Sequence, residues 1–397
     1  MYIRSAIENI HKMKYIHRVI EKEIIEMSSQ YPVVTITGPR QSGKTTLSRQ
    51  LFKDLPYFSF ENPDIRLFAS NDPRAFLARN QSGAILDEIQ HVPELLSYLQ
   101  QHVDDNRDKV KYILTGSNQF SLLNNVSQSL AGRTAILKLL PLCFAEISDL
   151  KELETEEIVL RGFYPGVIAN KLEPTKAYRN YYETYLERDL RQLVQLKDLS
   201  LFQKFIKICA GRIGNIFNAS TIANETGVTV NTIKAWVSIL EASYIVTLLQ
   251  PYHENINKRL IKSPKIYFND VGLATYLLGI EDTNQLQRDP LRGALFENLV
   301  IVEMIKQRYN AGMDSNLFFY RDSHHNEIDI IIKRGNELIP VEVKSSQTFH
   351  TSFLKSFRHF DKIFTGRIPS RFLIYDGDME QNVNQVEVIN WRNLLIK

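Results

Sequence analysis

A glycine-rich run near the start of the chain carries residue types that bind phosphate groups. Residues 38–46 read GPRQSGKTT, which matches the pattern G-x-x-x-x-G-K-[ST] at every fixed position. Glycines at the first and sixth positions permit backbone angles that point successive N–H groups inward, so that they form an anion cradle at the start of a helix. In such a loop Lys44 reaches the β- and γ-phosphates, which makes it a catalytic candidate too, and the hydroxyl of Thr45 coordinates Mg²⁺. The candidates for binding ATP are Gly38, Pro39, Arg40, Gln41, Ser42, Gly43, Lys44, Thr45 and Thr46.

An apolar strand that ends in two adjacent carboxylates is the second element with catalytic chemistry. Residues 84–88 read AILDE. After a phosphate-binding loop, Asp87 would belong to the Mg²⁺ shell, and Glu88 would orient or deprotonate the attacking water. Such a string is common on its own, where it is only a strand end with solvated acids. Its place after the glycine-rich run is what predicts hydrolysis of ATP.

Another apolar strand ends in small polar residues, LTGSN at positions 114–118. Ligands of a parallel sheet bind at the carboxyl ends of its strands. Ser117 or Asn118 would therefore contact the γ-phosphate or the water. For either residue taken alone, an ordinary turn is an equal alternative.

A third set of charged residues lies near the C-terminus. It consists of Glu297 on a predicted helix, Asp329 at the start of an apolar strand, and Glu342 and Lys344 in PVEVK. Because side chains alternate along a strand, Glu342 and Lys344 project from one face. Three acids and a lysine then suit a Mg²⁺ site for phosphodiester cleavage, with Asp329 and Glu342 as metal ligands and Lys344 stabilising charge. The alternative is a binding or assembly module whose charges are merely solvated.

The composition bounds what surrounds these residues. With 397 residues the chain is too long for one compact core, and its 44% hydrophobic and 23% charged content is typical of a globular protein. A net charge of +3 does not point to nucleic acid or a membrane. Cys143 and Cys209 are the two cysteines, so no disulfide framework is expected. The sequence has no secretory h-region and no apolar stretch long enough to span a bilayer, so we expect a cytoplasmic protein without a membrane partner.

Periodicity predicts the elements that position the candidates. A helical pattern over residues 1–30 precedes the buried strand YPVVTITG, and a helix starts at Lys44. The further strands 83–88 and 111–117 flank a helical stretch at 93–104. Strand–helix alternation indicates a parallel sheet covered by helices. We expect an α/β chain with an ATPase domain at 1–173, a helical region at 174–284 and an α/β region at 285–397.

The middle region carries a helix–turn–helix pattern, NASTIANETGVTVNTIKAWVSILE at 218–241. Ser220 is expected to cap the first helix, Gly227 makes the turn, and residues 244–252 would supply a wing strand. Thr229, Asn231, Thr232 and Lys234 would face a DNA groove if the second helix reads DNA. A helical linker that packs subunits or relays the ATP state is the alternative. The basic residues between 201 and 262, which outnumber three glutamates, are Lys204, Lys207, Arg212, Lys234, Lys258, Arg259 and Lys262.

Residues 31–150 resemble the AAA-type ATPases of a large prokaryotic family of stand-alone ATP-binding proteins. The resemblance is carried by GPRQSGKTTL, ILDEIQHVPELL, YILTGSNQFSLL and SLAGRTAILKLLPLCFAEI. It implies that Ser117 or Asn118 is the polar sensor, and that Arg133 reads the γ-phosphate, either in its own chain or across an interface of a homo-oligomer. The middle region is similar to the winged helix–turn–helix of that family. The C-terminal region is similar to the restriction-endonuclease-like core, in which Glu297, Asp329, Glu342 and Lys344 occupy the nuclease positions.

Three functions compete on this sequence. A DNA-processing ATPase would couple hydrolysis to the winged-helix and nuclease-like modules. A regulatory or signalling ATPase would act through protein assembly and ignore DNA. A small-molecule P-loop kinase is disfavoured, because a water-activating acid such as Glu88 serves a hydrolase and would waste ATP in a kinase.

Overall fold

A computed structural model describes residues 15–106, 110–117, 126, 128–150, 152–186, 199–253 and 262–394. Within these residues the chain forms three successive regions, each with its own arrangement of strands and helices. The first contains a five-stranded parallel sheet, the second is mainly helical, and the third contains a six-stranded mixed sheet. This arrangement confirms the predicted α/β class.

The first region is built on strands whose side chains are buried on both faces. The β-branched run VVTIT forms β1 and is fully buried, as a strand covered by helices on both sides requires. The strands lie in the order β2-β3-β4-β1-β5, so β4 separates the P-loop strand β1 from the acidic strand β3. The elements are α1 (Glu21–Gln30), β1 (Val33–Thr37), α2 (Lys44–Leu51), β2 (Tyr57–Ser59), α3 (Pro63–Asn71), α4 (Pro73–Ala78), β3 (Gly83–Asp87), α5 (Leu95–Asp105), β4 (Lys111–Gly116) and β5 (Thr134–Lys138).

The second region contains the predicted helix–turn–helix. Gly227, with φ 85°, ends the first of its two helices in the left-handed conformation. The cap of that helix is Asn218 rather than the expected Ser220, because the Asn218 carboxamide accepts the N–H groups of Ser220 and Thr221. The elements are α6 (Thr155–Arg161), α7 (Pro165–Ala169), α8 (Pro174–Tyr181), a π-helical turn (Tyr182–Leu186), α9 (Leu199–Ala210), α10 (Ala219–Thr226), α11 (Val230–Ala242), β6 (Val246–Leu249), β7 (Lys265–Phe268), α12 (Val271–Leu278) and α13 (Thr283–Arg288).

The third region places the predicted acidic strands in one sheet. Its strands lie in the order β12-β13-β11-β10-β9-β8, with β9 antiparallel and β11 parallel to β10. A 19-residue helix, α14, packs on this sheet. The elements are α14 (Arg292–Asn310), β8 (Leu317–Arg321), β9 (Glu327–Arg334), β10 (Glu337–Lys344), α15 (Lys355–Ile363), β11 (Phe372–Tyr375), β12 (Gln381–Val383) and β13 (Val386–Asn390).

The three regions are packed against one another through buried contacts. One apolar cluster runs from Leu140 at the edge of the first region, through the middle helices, to Leu394. Charged side chains lie inside this junction too. The carboxylate of Glu303 on α14 accepts the N–H of Phe144 at 2.8 Å, and Lys306 donates to the carbonyl of Leu142 at 2.7 Å. The segment that follows β5 is therefore held by the C-terminal region.

Candidate functional site

The glycine-rich run forms a tight loop between β1 and α2. Gly43 has φ 94° and begins α2 in the left-handed conformation. At Gly38 a side chain would not fit, because a Cβ would lie 2.1 Å from the carbonyl oxygen of Leu139. The first N–H groups of α2 have no partner within the helix, and the helix dipole makes this end positive. The loop thus has the geometry of an anion cradle.

Lys44 lies folded along the inside of this loop. Its Nζ donates to the carbonyl oxygens of Gly38 at 2.9 Å and Pro39 at 2.8 Å. Burial lowers the pKa of Lys44 to about 8, although the nearby carboxylates of Glu88 and Asp87 act in the opposite direction. An ammonium held among backbone carbonyls in a buried loop is well placed to bind phosphate oxygens.

Asp87 ends β3 beside the first turn of α2. Its two carboxylate oxygens accept the hydroxyl of Thr45 at 3.1 and 3.0 Å, and one also accepts the hydroxyl of Tyr57 at 2.8 Å. Thr115 on β4 donates to the other oxygen. The carboxylate is 5% exposed. The Thr45–Asp87 pair is the oxygen donor set that Mg²⁺ takes in P-loop proteins, so these residues fit that cation.

Glu88 follows in a strained conformation that turns its side chain toward the loop. Its φ is 55°, a left-handed angle that is uncommon for non-glycine residues. The hydroxyl of Ser117 donates to its Oε2 at 3.1 Å, and Gln90 donates to the same oxygen. The sequence predicted that Glu88 and Ser117 both act at the γ-phosphate or the attacking water. The structure brings these two side chains into contact. Asn118 lies outside the described residues.

A cavity of about 780 Å³ opens beside the loop, and both Lys44 and Glu88 line it. Its other wall comes from the segment before α1 and from α7, including Tyr15, Pro165 and Ala169. Among the described residues, the buried hydroxyl of Ser42 in the loop has no hydrogen-bond partner. An orphaned donor beside a lysine and a helix N-terminus fits a phosphate chain, and the apolar wall fits a nucleobase.

The charged residues predicted near the C-terminus also lie close together, but their carboxylates are hydrogen-bonded mainly to lysines. Lys344 donates to Glu342 at 2.7 Å and to Asp329 at 3.2 Å. Glu297 is bonded instead to Lys265, at 3.3 Å, and to the hydroxyl of Tyr267. Burial and the charge of Asp329 raise the pKa of Glu342, and Lys344 opposes this shift. Among the described residues, no group of three or more His, Cys, Asp or Glu is placed to hold a metal ion.

Three family models match the chain, one in each of its three regions. A family model described as "AAA domain" matches residues 30–148, and two domains of unknown function, DUF8612 and DUF4143, match residues 152–284 and 292–394. An uncharacterized protein of Mycobacterium tuberculosis, Rv2008c, is 33% identical over 80% of this chain and 71% of its own length. The chain belongs to this family of prokaryotic AAA-type P-loop ATPases.

More distant relatives of this AAA-type ATPase occur in other prokaryotes. An uncharacterized protein of Haemophilus influenzae is 23% identical over 81% of this chain and 84% of its own length. The uncharacterized protein MJ1544 of Methanocaldococcus jannaschii is 23% identical over 89% and 83%. Among solved structures, the Walker-type ATPase paby2304 of Pyrococcus abyssi aligns with a TM-score of 0.46 at 16% identity, over 67% of this chain and 97% of that one. Within the described residues, no helix is long and apolar enough to cross a membrane.

The structure does not bring Arg133 to the P-loop of its own chain. Arg133 immediately precedes β5, whose first residue pairs with the first residue of β1, whereas the P-loop follows the last residue of β1. The two ends of this five-residue strand are separated by about 13 Å. Arg133 instead makes a two-pronged bond to Asp104, at 2.6 and 2.7 Å. This place in the sheet keeps Arg133 away from the P-loop of its own chain, and a role across a subunit interface stays a prediction.

Sequence reasoning missed two side chains that touch the P-loop region. Arg18 donates to the carbonyl oxygen of Ser42 inside the loop at 2.8 Å. Tyr244, from the segment between α11 and β6, is hydrogen-bonded to Thr37 at 2.6 Å, next to the start of the loop. The only sequence signal for Arg18 is a charge within the apolar run IHRVI. Nothing in the sequence relates Tyr244 to a strand 207 residues away.

Proposed function

We propose that this chain hydrolyses ATP with Mg²⁺ at the junction of β1, β3 and α2. The observation that carries the proposal is that Lys44, Thr45 and Glu88 line one cavity and that Thr45 is hydrogen-bonded to Asp87. A phosphate-binding cation, a metal-binding pair and a general base thus lie within one site. Each has the residue type that its task requires.

The residues divide the reaction between them. The P-loop N–H groups and Lys44 bind the β- and γ-phosphates, and Lys44 exchanges its bonds to loop carbonyls for phosphate oxygens. Thr45 and Asp87 would hold Mg²⁺, which neutralises charge on the phosphates when bound. Glu88 accepts a proton from water as the water oxygen bonds to the γ-phosphorus, and ADP leaves with the bridging oxygen. Ser117 orients Glu88 by donating to its Oε2.

Release of phosphate from MgATP by the Lys44→Ala chain tests the proposal. Loss of the buried ammonium should reduce turnover by at least about 100-fold, because it contacts the transferring group. Lys53→Ala is the matched control, since Lys53 is exposed just after α2. Unchanged turnover in Lys44→Ala would show that the hydrolysis belongs to another site or another protein. Phosphate transferred to a small molecule instead of water would support a kinase.

Binding of DNA is the second function that we propose, on the strength of the helix–turn–helix surface. Thr229, Asn231 and Lys234 are exposed at the start of α11, whereas Thr232 is half-buried and its N–H is capped by Thr229. The antiparallel pair of β6 and β7 follows, as a wing would. Such a helix presents its N-terminal residues to base edges in the major groove. The three residues Glu254, Lys258 and Arg259 of the predicted basic stretch lie outside the described part.

Cleavage of DNA is not part of the proposal, because the C-terminal residues fit a metal ion poorly. Asp329 and Glu342 already accept hydrogen bonds from one shared lysine, and Glu297 is held by Lys265 and Tyr267. We propose that Glu297, Asp329, Glu342 and Lys344 stabilise the C-terminal sheet of a recognition or assembly module. A nuclease would contradict this by nicking duplex DNA in Mg²⁺, with loss of nicking in Asp329→Ala.

ATP turnover with and without duplex DNA separates DNA coupling from a regulatory role. If DNA binding is coupled to hydrolysis, duplex DNA raises turnover, and Asn231→Ala with Lys234→Ala removes the increase. Lys176→Ala is the control, an exposed lysine outside the helix–turn–helix. Turnover that ignores DNA but changes with protein concentration would favour a regulatory ATPase that acts through assembly.

A further inference from the structure

A buried arginine outside the nucleotide-binding motif touches the backbone of the P-loop. Arg18 lies just before α1 and is 7% exposed. Its Nη1 donates to the carbonyl oxygen of Ser42 at 2.8 Å, and its Nη2 donates to that of Leu140 at 2.7 Å. A Cβ added at Gly43 would lie 3.8 Å from Nη1, which shows how closely the guanidinium packs under the loop.

The contact with Ser42 fixes the direction of a neighbouring donor. In a trans peptide unit the C=O and the following N–H point to opposite sides. A guanidinium that fixes the Ser42 carbonyl therefore also fixes the Gly43 N–H, which points to the opposite side of the same peptide unit.

Glu146 holds the guanidinium in this orientation. Its Oε2 accepts Arg18 Nε at 2.9 Å and the N–H of Cys143 at 2.9 Å, and its Oε1 accepts the N–H of Val19 at 2.7 Å. The side chains of Arg18 and Glu146 are 5% and 1% exposed. A pair so deeply buried is costly to desolvate, and such pairs are retained where they fix geometry. Here the geometry that they fix is that of the loop.

We propose that Arg18 is a positioning residue of the nucleotide site, which orients the P-loop backbone for the β-phosphate. The proposal rests on the proposed ATP hydrolysis and extends the site to the segment before β1. The backbone N–H groups of a P-loop bind the α- and β-phosphates, which ADP and ATP share, so loss of Arg18 should weaken MgADP and MgATP to the same extent. A residue that reads the γ-phosphate would weaken MgATP alone.

Nucleotide affinity of the full chain, measured by competition with a fluorescent ADP, tests this inference. Arg18→Met combined with Glu146→Gln removes both charges, so no unpaired ion is buried. We expect Kd for both MgADP and MgATP to rise about tenfold, as for loss of one well-oriented donor to a charged ligand. We expect kcat at saturating ATP to change less than KM. The reason is that a contact to the β-phosphate contributes equally to binding of the substrate and of the transition state. Arg18→Lys, which keeps a cation beside Glu146 but not the planar fork, should give an intermediate Kd.

The controls separate positioning from stability. Arg179→Met removes an arginine that is exposed on α8 and should leave Kd unchanged. Thermal unfolding reports whether each variant folds. If the double variant does not fold, the nucleotide affinity of Arg18→Lys is the test. Folded Arg18 variants with wild-type Kd for both nucleotides would overturn the inference. If Lys44→Ala abolishes turnover in the same series, the proposed function stands even then.

Discussion

The hydroxyl of Tyr244 lies 2.6 Å from Oγ1 of Thr37, the last residue of the strand that precedes the P-loop. Oγ1 of Thr37 also lies 3.3 Å from the carbonyl oxygen of Leu137, to which it donates, so Tyr244 is the donor to Thr37. Tyr244 itself has φ 55° and joins α11 to β6. A strained residue next to the helix–turn–helix thus contacts the base of the nucleotide site, which gives the two a direct physical connection.

Removing that hydroxyl should affect nucleotide binding as well as stability. We expect Tyr244→Phe to lower the free energy of unfolding by about 1 kcal/mol, the value of one buried hydrogen bond. We also expect Kd for MgATP to rise, because Thr37 loses the bond that fixes it next to Gly38. Chemical denaturation and nucleotide titration measure the two effects.

Tyr267→Phe is the matched control for this change. Tyr267 is also buried, but its hydroxyl is bonded to Glu297 in the C-terminal region. It should lower stability without changing Kd for MgATP. Equal effects of both substitutions on Kd would contradict a specific link between Tyr244 and the loop.

A methyl group at position 38 should disable the nucleotide site. In Gly38→Ala the new Cβ would lie 2.1 Å from the carbonyl oxygen of Leu139, so the loop must move away from β5. We expect MgATP binding to be lost even where the chain remains folded. In Gly132→Ala the residue also has positive φ, 73°, but no atom of the described part of the chain lies within 4 Å of the added Cβ. That control should cost about 1 kcal/mol of stability and leave binding intact.

Burial of Glu241 at the end of α11 predicts a pH dependence of stability. Burial raises the pKa of Glu241, so the folded chain binds its proton more tightly than the unfolded chain does. Stability contributed by this group is therefore highest at low pH and falls as the pH rises from the ordinary glutamate pKa through the raised one. Glu241→Gln keeps an acceptor for the N–H of Leu248, which Glu241 bonds at 3.3 Å. We expect the variant to be at least as stable as the wild type at pH 7, and a clear loss at pH 7 would refute the predicted sign.

Local pattern was enough to predict the parts of the site that lie close in sequence. The strands β1, β3 and β4 were predicted because their apolar runs end in Gly38, Asp87 and Gly116. The grouping of Lys44, Asp87 and Glu88 followed from the P-loop motif and the acidic strand after it, and that of Ser117 from the rule that ligands bind at the carboxyl ends of parallel strands. These residues need only the fold class to be placed together.

Contacts that depend on packing between distant segments could not be predicted. Arg18 meets Glu146 across 128 residues and Tyr244 meets Thr37 across 207, and no period or motif relates them. The place of Arg133 was missed for a similar reason, since its distance from the P-loop depends on the parallel register of β5 with β1. Strand β7 was missed because its short run, KIYF, has no alternation to mark it.

The most direct test of the central claim is MgATP hydrolysis by Glu88→Gln, measured beside its affinity for MgATP. The substitution keeps an acceptor for Ser117 but removes the general base. We expect Kd for MgATP to stay within about twofold, while kcat falls by about 10²–10⁴-fold. Glu94→Gln, an exposed acid six positions along the chain, should hydrolyse ATP like the wild type. Wild-type turnover in Glu88→Gln would contradict the claim that this chain hydrolyses ATP with Glu88 as its base.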